Sequence, residues 1–170
     1  MTAYVALLRA INVGGRKLIM KDLAGIGESL GFAQCRTFIA SGNLLFTSPV
    51  PEADVKMKLE KALSHHMGAE VPVMVRTAAE MTAVAEANPF SDRPGNRIVA
   101  MFLDKPPPPD ALDHAAGVKD ECMALGAREI YIAYGDGMAD SKLKIPAATK
   151  GTARNMNSVS KMAQMAKDME

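Results

Sequence analysis

The sequence predicts an α+β fold in two parts, a βαββαβ unit followed by a second, abbreviated βαββα unit. Three observations carry this reading. Short apolar runs bounded by Gly, Pro, Ser and Asn recur at strand length. Longer segments between them space their apolar residues three and four apart, as one face of a helix requires. From residue 97 the order of strand and helix signals begins again. A chain of 170 residues can bury roughly 70% of its unfolded surface, so a real core is available to each part.

The first strand is read over residues 3–9, where apolar residues alternate weakly. Ile19, Leu23, Ile26 and Leu30 then share a helical face until Gly31 stops the helix. Two strand-like runs follow, from Cys35 to Ala40 and from Leu44 to Thr47, joined by Ser41-Gly42-Asn43, which has hairpin chemistry. After the breakers Pro49 and Pro51, Val55, Leu59, Ala62, Leu63 and Met67 form one helical face, and Val71 to Val75 closes the unit as a strand. Pro72 suits an edge position, because it cannot donate to a ladder. This is the ferredoxin-like order, assigned to residues 1–77.

Residues 78–96 are read as a connecting helix and loop, opened by a Thr77/Glu80 capping box and ended by Asn88-Pro89. The second ferredoxin-like unit, 97–170, begins with a strand over 97–103 and a stiff proline run from Pro106 to Pro109. A helix over Asp110–Leu125, a strand over Glu129–Tyr134, a Gly135-Asp136-Gly137 turn, a short strand near Lys142–Ile145 and a C-terminal helix complete it. The repetition concerns element order; the two halves share no evident sequence similarity.

Composition narrows the class. Cys35 and Cys122 match no metal or redox spacing, the N-terminus has no signal-like charge and apolar core, and no apolar run reaches the ~20 residues of a membrane span. A cytoplasmic protein is expected, with no membrane association, no metal and no cofactor. Net charge is +1, but residues 1–21 and 141–167 together hold ten cations and no acid, which leaves the remainder at −9. Such segregation focuses a field toward anions, although charged runs also serve simply as solvated faces.

In a ferredoxin-like unit the first connection and the β2–β3 turn lie at one end of the sheet. The stretch INVGGRK, from Ile11 to Lys17, and Ser41-Gly42-Asn43 should therefore meet. Backbone N–H groups around Gly14 and Gly15, the Ser41 hydroxyl, Gly42, and the amides of Asn12 and Asn43 could bind an anion there, with Arg16 supplying charge and a planar fork. The same Gly and Asn residues also meet ordinary turn requirements. Near the C-terminal helix, Arg154 and Asn155 could add to an anion-favouring helix start, or Thr152 or Asn155 could merely cap it with Arg154 paired to a carboxylate. Lys142 completes the candidate ligand set.

Four of these motifs, Tyr4 to Gly15, Ser41-Gly42-Asn43, Ser141-Lys142-Leu143 and Gly151 to Asn157, resemble the signatures of the DUF1697 family along nearly the whole chain. The resemblance implies a largely bacterial family with no assigned activity and two ferredoxin-like units. The family pattern has Gly where Ala10 stands and Trp where Met156 stands. Met156 can cover an apolar face, but it supplies no π platform.

Enzyme signatures are absent. There is no P-loop, no complete dinucleotide glycine pattern, no HExxH and no nucleophile elbow. His65 and His66 adjoin at a helix end and His114 stands alone, so a metal site is not expected. Three functions fit. The first is a module binding a phosphate-bearing or other anionic ligand, a nucleotide or RNA included, although three Tyr and five Phe give little stacking surface for RNA. The second is a small enzyme on an anionic substrate, with Arg16, Lys142 and Arg154 as electrostatic stabilisers and no identifiable base. The third is an interaction module that uses Met162, Met165 and Met169; the sequence does not specify an oligomeric state.

Overall fold

The structure, a computed structural model, describes residues 1–9, 17–39, 42–136 and 138–170. The chain divides into two compact units, Met1–Thr82 with Met162–Glu170, and Ala83–Lys161. Each contains a four-stranded antiparallel sheet of ferredoxin-like order.

In the first unit β1 (Thr2–Leu8) is followed by α1 (Met20–Ser29), β2 (Ala33–Thr37), β3 (Asn43–Ser48), α2 (Glu52–Met67) and β4 (Val73–Thr77). The sheet order is β2-β3-β1-β4. Tyr4, Ala6 and Leu8 of β1, Leu44 and Phe46 of β3, and Val73 and Val75 of β4 pack with Leu23 of α1 and Val55, Leu59 and Leu63 of α2. Phe32 stacks on Phe46 at 4.2 Å between ring centroids. The alternate residues Ala3, Val5, Leu7, Leu45 and Met74 are buried too. Burial on both faces explains why these strands read as apolar runs with only weak alternation.

The stop expected at Gly31 is present, and α2 ends on a glycine as well. Gly31 at φ +87° follows α1, and Gly68 at φ +69° caps α2, in a region that side chains with a Cβ seldom occupy. Gly27 has a separate role: a Cβ there would lie 2.9 Å from Cys35 Sγ, so its bare Cα lets α1 approach β2 closely. Edge strand β4 starts two residues later than expected, and α2 covers its first residue. Lys56 Nζ donates to the Val73 carbonyl at 2.6 Å, and Glu60 accepts the Val73 N–H at 2.9 Å. Occupying these edge groups opposes pairing with another strand.

α3 (Ala78–Glu86) follows β4 directly. Its capping box is formed in both directions, with the Glu80 N–H donating to Thr77 Oγ1 at 3.1 Å and the Thr77 N–H to Glu80 Oε1 at 2.9 Å.

The second sheet comprises β5 (Ile98–Phe102), β6 (Cys122–Leu125), β7 (Glu129–Ala133) and β8 (Thr152–Asn155), in the order β6-β7-β5-β8. It is followed by α4 (Met156–Asp168). The helix expected over Asp110–Leu125 is not formed. A 3-10 turn occupies Ala111–His114, Gly117 takes φ +71°, Ala116 pairs with Lys144, and Cys122–Leu125 forms β6 against β7. Strand pairing overrode the local helical spacing. The strand expected near Lys142–Ile145 is reduced to that single Ala116 bridge, and the fourth strand lies later, at Thr152–Asn155. What is abbreviated is therefore the helices, while the sheet is complete. Leu112 within the Ala111–His114 turn, Ala115 just after it, and Ile145, Ala147 and Ala148, at another turn over Pro146–Ala148, pack where helices cover the first sheet.

The two sheets repeat in register. Val5 faces Leu45 on one side and Arg76 on the other, while Ala100 faces Tyr131 and Arg154. Each arginine is buried and is the penultimate residue of its fourth strand. Each is followed by a capping residue, Thr77 for α3 and Asn155 for α4, whose Oδ1 accepts the Ser158 N–H at 2.9 Å.

Replacing Thr77 by Ala removes one arm of the capping box and is expected to lower stability by about 1 kcal/mol in urea unfolding. An unchanged midpoint would show that α3 does not depend on this cap.

Candidate functional site

The sequence-derived site falls in three places. The first is the end of the first sheet where β1 finishes. The Leu8 N–H donates to the Gly42 carbonyl at 2.9 Å, and the Arg9 N–H to the Pro72 carbonyl at 3.0 Å. The end of β1, the β2–β3 turn and the start of β4 therefore meet, as the topology required. Asn12, Gly14, Gly15, Arg16 and Ser41 lie outside the described residues.

The described flanks have definite chemistry. Gly42 adopts φ +90°, and Ile39, a β-branched residue, holds φ +52° while 49% exposed. Left-handed backbone at Ile39 is strained. Asn43 is fully buried and donates from Nδ2 to the Phe38 carbonyl at 2.7 Å, while its own carbonyl accepts the Phe38 N–H at 3.2 Å. It pins the turn. α1 starts after Ile19 with no side-chain cap among the described residues, and exposed Lys17 precedes it. His66, in the last turn of α2, lies 3.8 Å from Asp22 in the first turn of α1. The Asp22 carboxylate complements this helix start, and Lys17 and Lys21 flank it with positive charge.

The second place is β8. Arg154 lies within β8, one residue before the α4 cap, 6% exposed, with Nη1 donating to Thr152 Oγ1 at 2.7 Å and to the Ala153 carbonyl at 2.9 Å. Desolvation brings its pKa down to about 10, which still leaves it charged at neutral pH. Asn155 holds α4 as a cap. Nearby, a Cβ on Gly95 would lie 2.2 Å from Asn157 Oδ1, so the bare Cα admits the Asn157 side chain.

The third place is a cleft of about 670 Å³ in the second unit, between residues 117–121 on one side and Asp136 with residues 140–142 on the other, with Lys142 on its wall. Glu121 organises it. Its Oε1 accepts the Lys119 N–H at 2.7 Å, and its Oε2 accepts a short hydrogen bond from the Ser141 hydroxyl. Ser141 Oγ in turn accepts the Leu143 N–H at 3.3 Å. The Ser141 bond first, and the backbone N–H bonds after it, hold the Glu121 carboxyl below the ordinary carboxylate range. Such a carboxylate is a weak base, so the pair is a clamp between two chain segments and not an activated nucleophile. Asp136 is paired with Arg97. Among the described residues no cluster of His, Cys, Asp and Glu could hold a metal, and no helix is long and apolar enough to cross a membrane.

Glu121, Lys119 and Arg76 escaped the sequence reading. Arg76 left a signal, a lone cation in an apolar strand beside a capping box. Glu121 left none, because it fell within an expected helix.

Two outcomes follow. Asn43→Ala removes a buried donor and should destabilise the chain by about 1–3 kcal/mol in denaturant unfolding; a neutral effect would refute the pinning role. Glu121 has a folded-state pKa below its unfolded value of about 4.3, so its contribution is complete above that pH and is lost as pH falls through the folded value. Glu121→Gln should therefore lower the midpoint of thermal unfolding near neutral pH and flatten its fall below about pH 5. Parallel acid limbs for the two proteins would count against the clamp.

Comparison with known proteins agrees with this architecture. The structure of the conserved bacterial protein SP0830 from Streptococcus pneumoniae matches with a TM-score of 0.82 at 28% sequence identity, covering 98% of this chain and 99% of that one. No curated protein matches. The model of the family described as "Protein of unknown function (DUF1697)" matches residues 1–131, well over half of the sequence. With both the family pattern and a full-length structural likeness in place, the chain belongs to the DUF1697 family.

Proposed function

We propose that the protein is a small cytoplasmic module that binds a phosphate-bearing or other anionic ligand at the end of its first sheet. The supporting observation is the Leu8 N–H to Gly42 carbonyl bond, which joins the end of β1, after which Asn12, Gly14, Gly15 and Arg16 follow in the sequence, to the β2–β3 turn. The backbone donors that the glycines of this connection could offer and the acid-free cations of residues 1–21 together suit an anion. The unpaired thiols Cys35 and Cys122 suit a reducing compartment. A nucleotide belongs to this ligand class. Extended RNA is the weaker fit, because few aromatic rings are present to stack its bases.

The test is thermal unfolding with phosphate, nucleotides, sugar phosphates and short RNA, each at low and high salt. A true ligand at a hundred times its Kd should stabilise the chain by about 2.7 kcal/mol. The shift should shrink with salt and disappear in Arg16→Ala. No shift from any of these compounds would reduce the glycine loop to a turn.

A further inference from the structure

We propose that the cleft of the second unit binds a small zwitterion, an α-amino acid with an apolar side chain being the simplest, independently of the anion site of the first unit. The walls are already in place. Gly117 approaches the Lys142 carbonyl so closely that a Cβ would lie 2.1 Å from its oxygen, and a Cβ on Gly135 would lie 2.0 Å from Asp120 Oδ2. The Ser141–Glu121 bond and the Ala116–Lys144 bridge tie the same two segments together. A cleft of about 670 Å³ has the size of a small-molecule site.

Its charges decide the ligand class. Asp136 and Glu121 are engaged by Arg97 and by Ser141. Lys119 and Lys142 carry exposed ammonium groups, and Asp120 and Asp140 exposed carboxylates, with no ion pair among the described residues. Val118, 48% exposed, adds apolar surface. A polyanion would meet repulsion from the carboxylates, and a lone cation or anion would satisfy only one sign. A molecule with an ammonium, a carboxylate and an apolar body satisfies both signs and covers Val118. The carboxylate would pair with Lys142 or Lys119, the ammonium with Asp120 or Asp140.

The experiment is calorimetric titration of the full chain with L-leucine, with 4-methylpentanoate, which lacks the ammonium, and with isoamylamine, which lacks the carboxylate. Leucine should bind saturably, about tenfold or more tighter than either analogue. Lys142→Ala and Asp120→Asn should each weaken it about tenfold without moving the thermal midpoint, and Arg16→Ala should leave it unchanged. Equal binding of 4-methylpentanoate would make the cleft an anion site and overturn the proposal. So would the lack of any saturable heat with leucine, or affinity indifferent to both cleft variants.

Discussion

The antiparallel pairing of β1 with β3 on one side and β4 on the other is the constraint on which the first unit rests. Once β1 is central, its following loop and the β2–β3 turn must emerge at the same end, and α1 and α2 must return across one face. Apolar residues on that face then meet Leu23, Val55, Leu59 and Leu63 in one core. The Leu8–Gly42 bond is the last rung of this logic. It joins two segments separated by more than thirty residues without requiring any affinity between their side chains.

The second sheet obeys the same pairing with less material. β5 takes the place of β1, and the cross-strand row Tyr131–Ala100–Arg154 repeats Leu45–Val5–Arg76. In place of α1 and α2 stand 3-10 turns and loops, which cover the sheet with Leu112, Ala115, Ile145 and Ala148. A sheet needs a cover for its apolar face, and that cover need not be a helix. The exchange has a structural consequence. Loops can approach each other more closely than helices, and where Gly117 meets Lys142 they leave a charged cleft beside the sheet.

The buried arginines show how polar chemistry is accommodated in this fold. Arg154 hydrogen-bonds to Thr152 and to a backbone carbonyl of its own strand, and Arg76 donates to the Val75 carbonyl. A guanidinium has several donors in a planar fork, so it can be buried among carbonyl and hydroxyl oxygens at tolerable cost. Each arginine sits one residue before a helix cap. Strand end, buried cation and helix start thus form a repeated module at the same register in both units.

The sequence by itself determined the elements whose signals are local. The helical spacing of α1 and α2, the glycine stop at Gly31, the Thr77/Glu80 box and the edge placement beside Pro72 all act within a few residues. It also required the end of β1 and the β2–β3 turn to lie at one sheet end, because handed, unknotted connections leave little choice. Only the tertiary structure decided the course of residues 110–125, where pairing with β7 outweighed a helical pattern. It likewise decided that Asn43 is a buried pin, that Arg154 lies within a strand, and that Glu121 joins Ser141. These outcomes depend on groups distant in the chain arriving at hydrogen-bond distance, and neither periodicity nor capping chemistry carries information about such meetings.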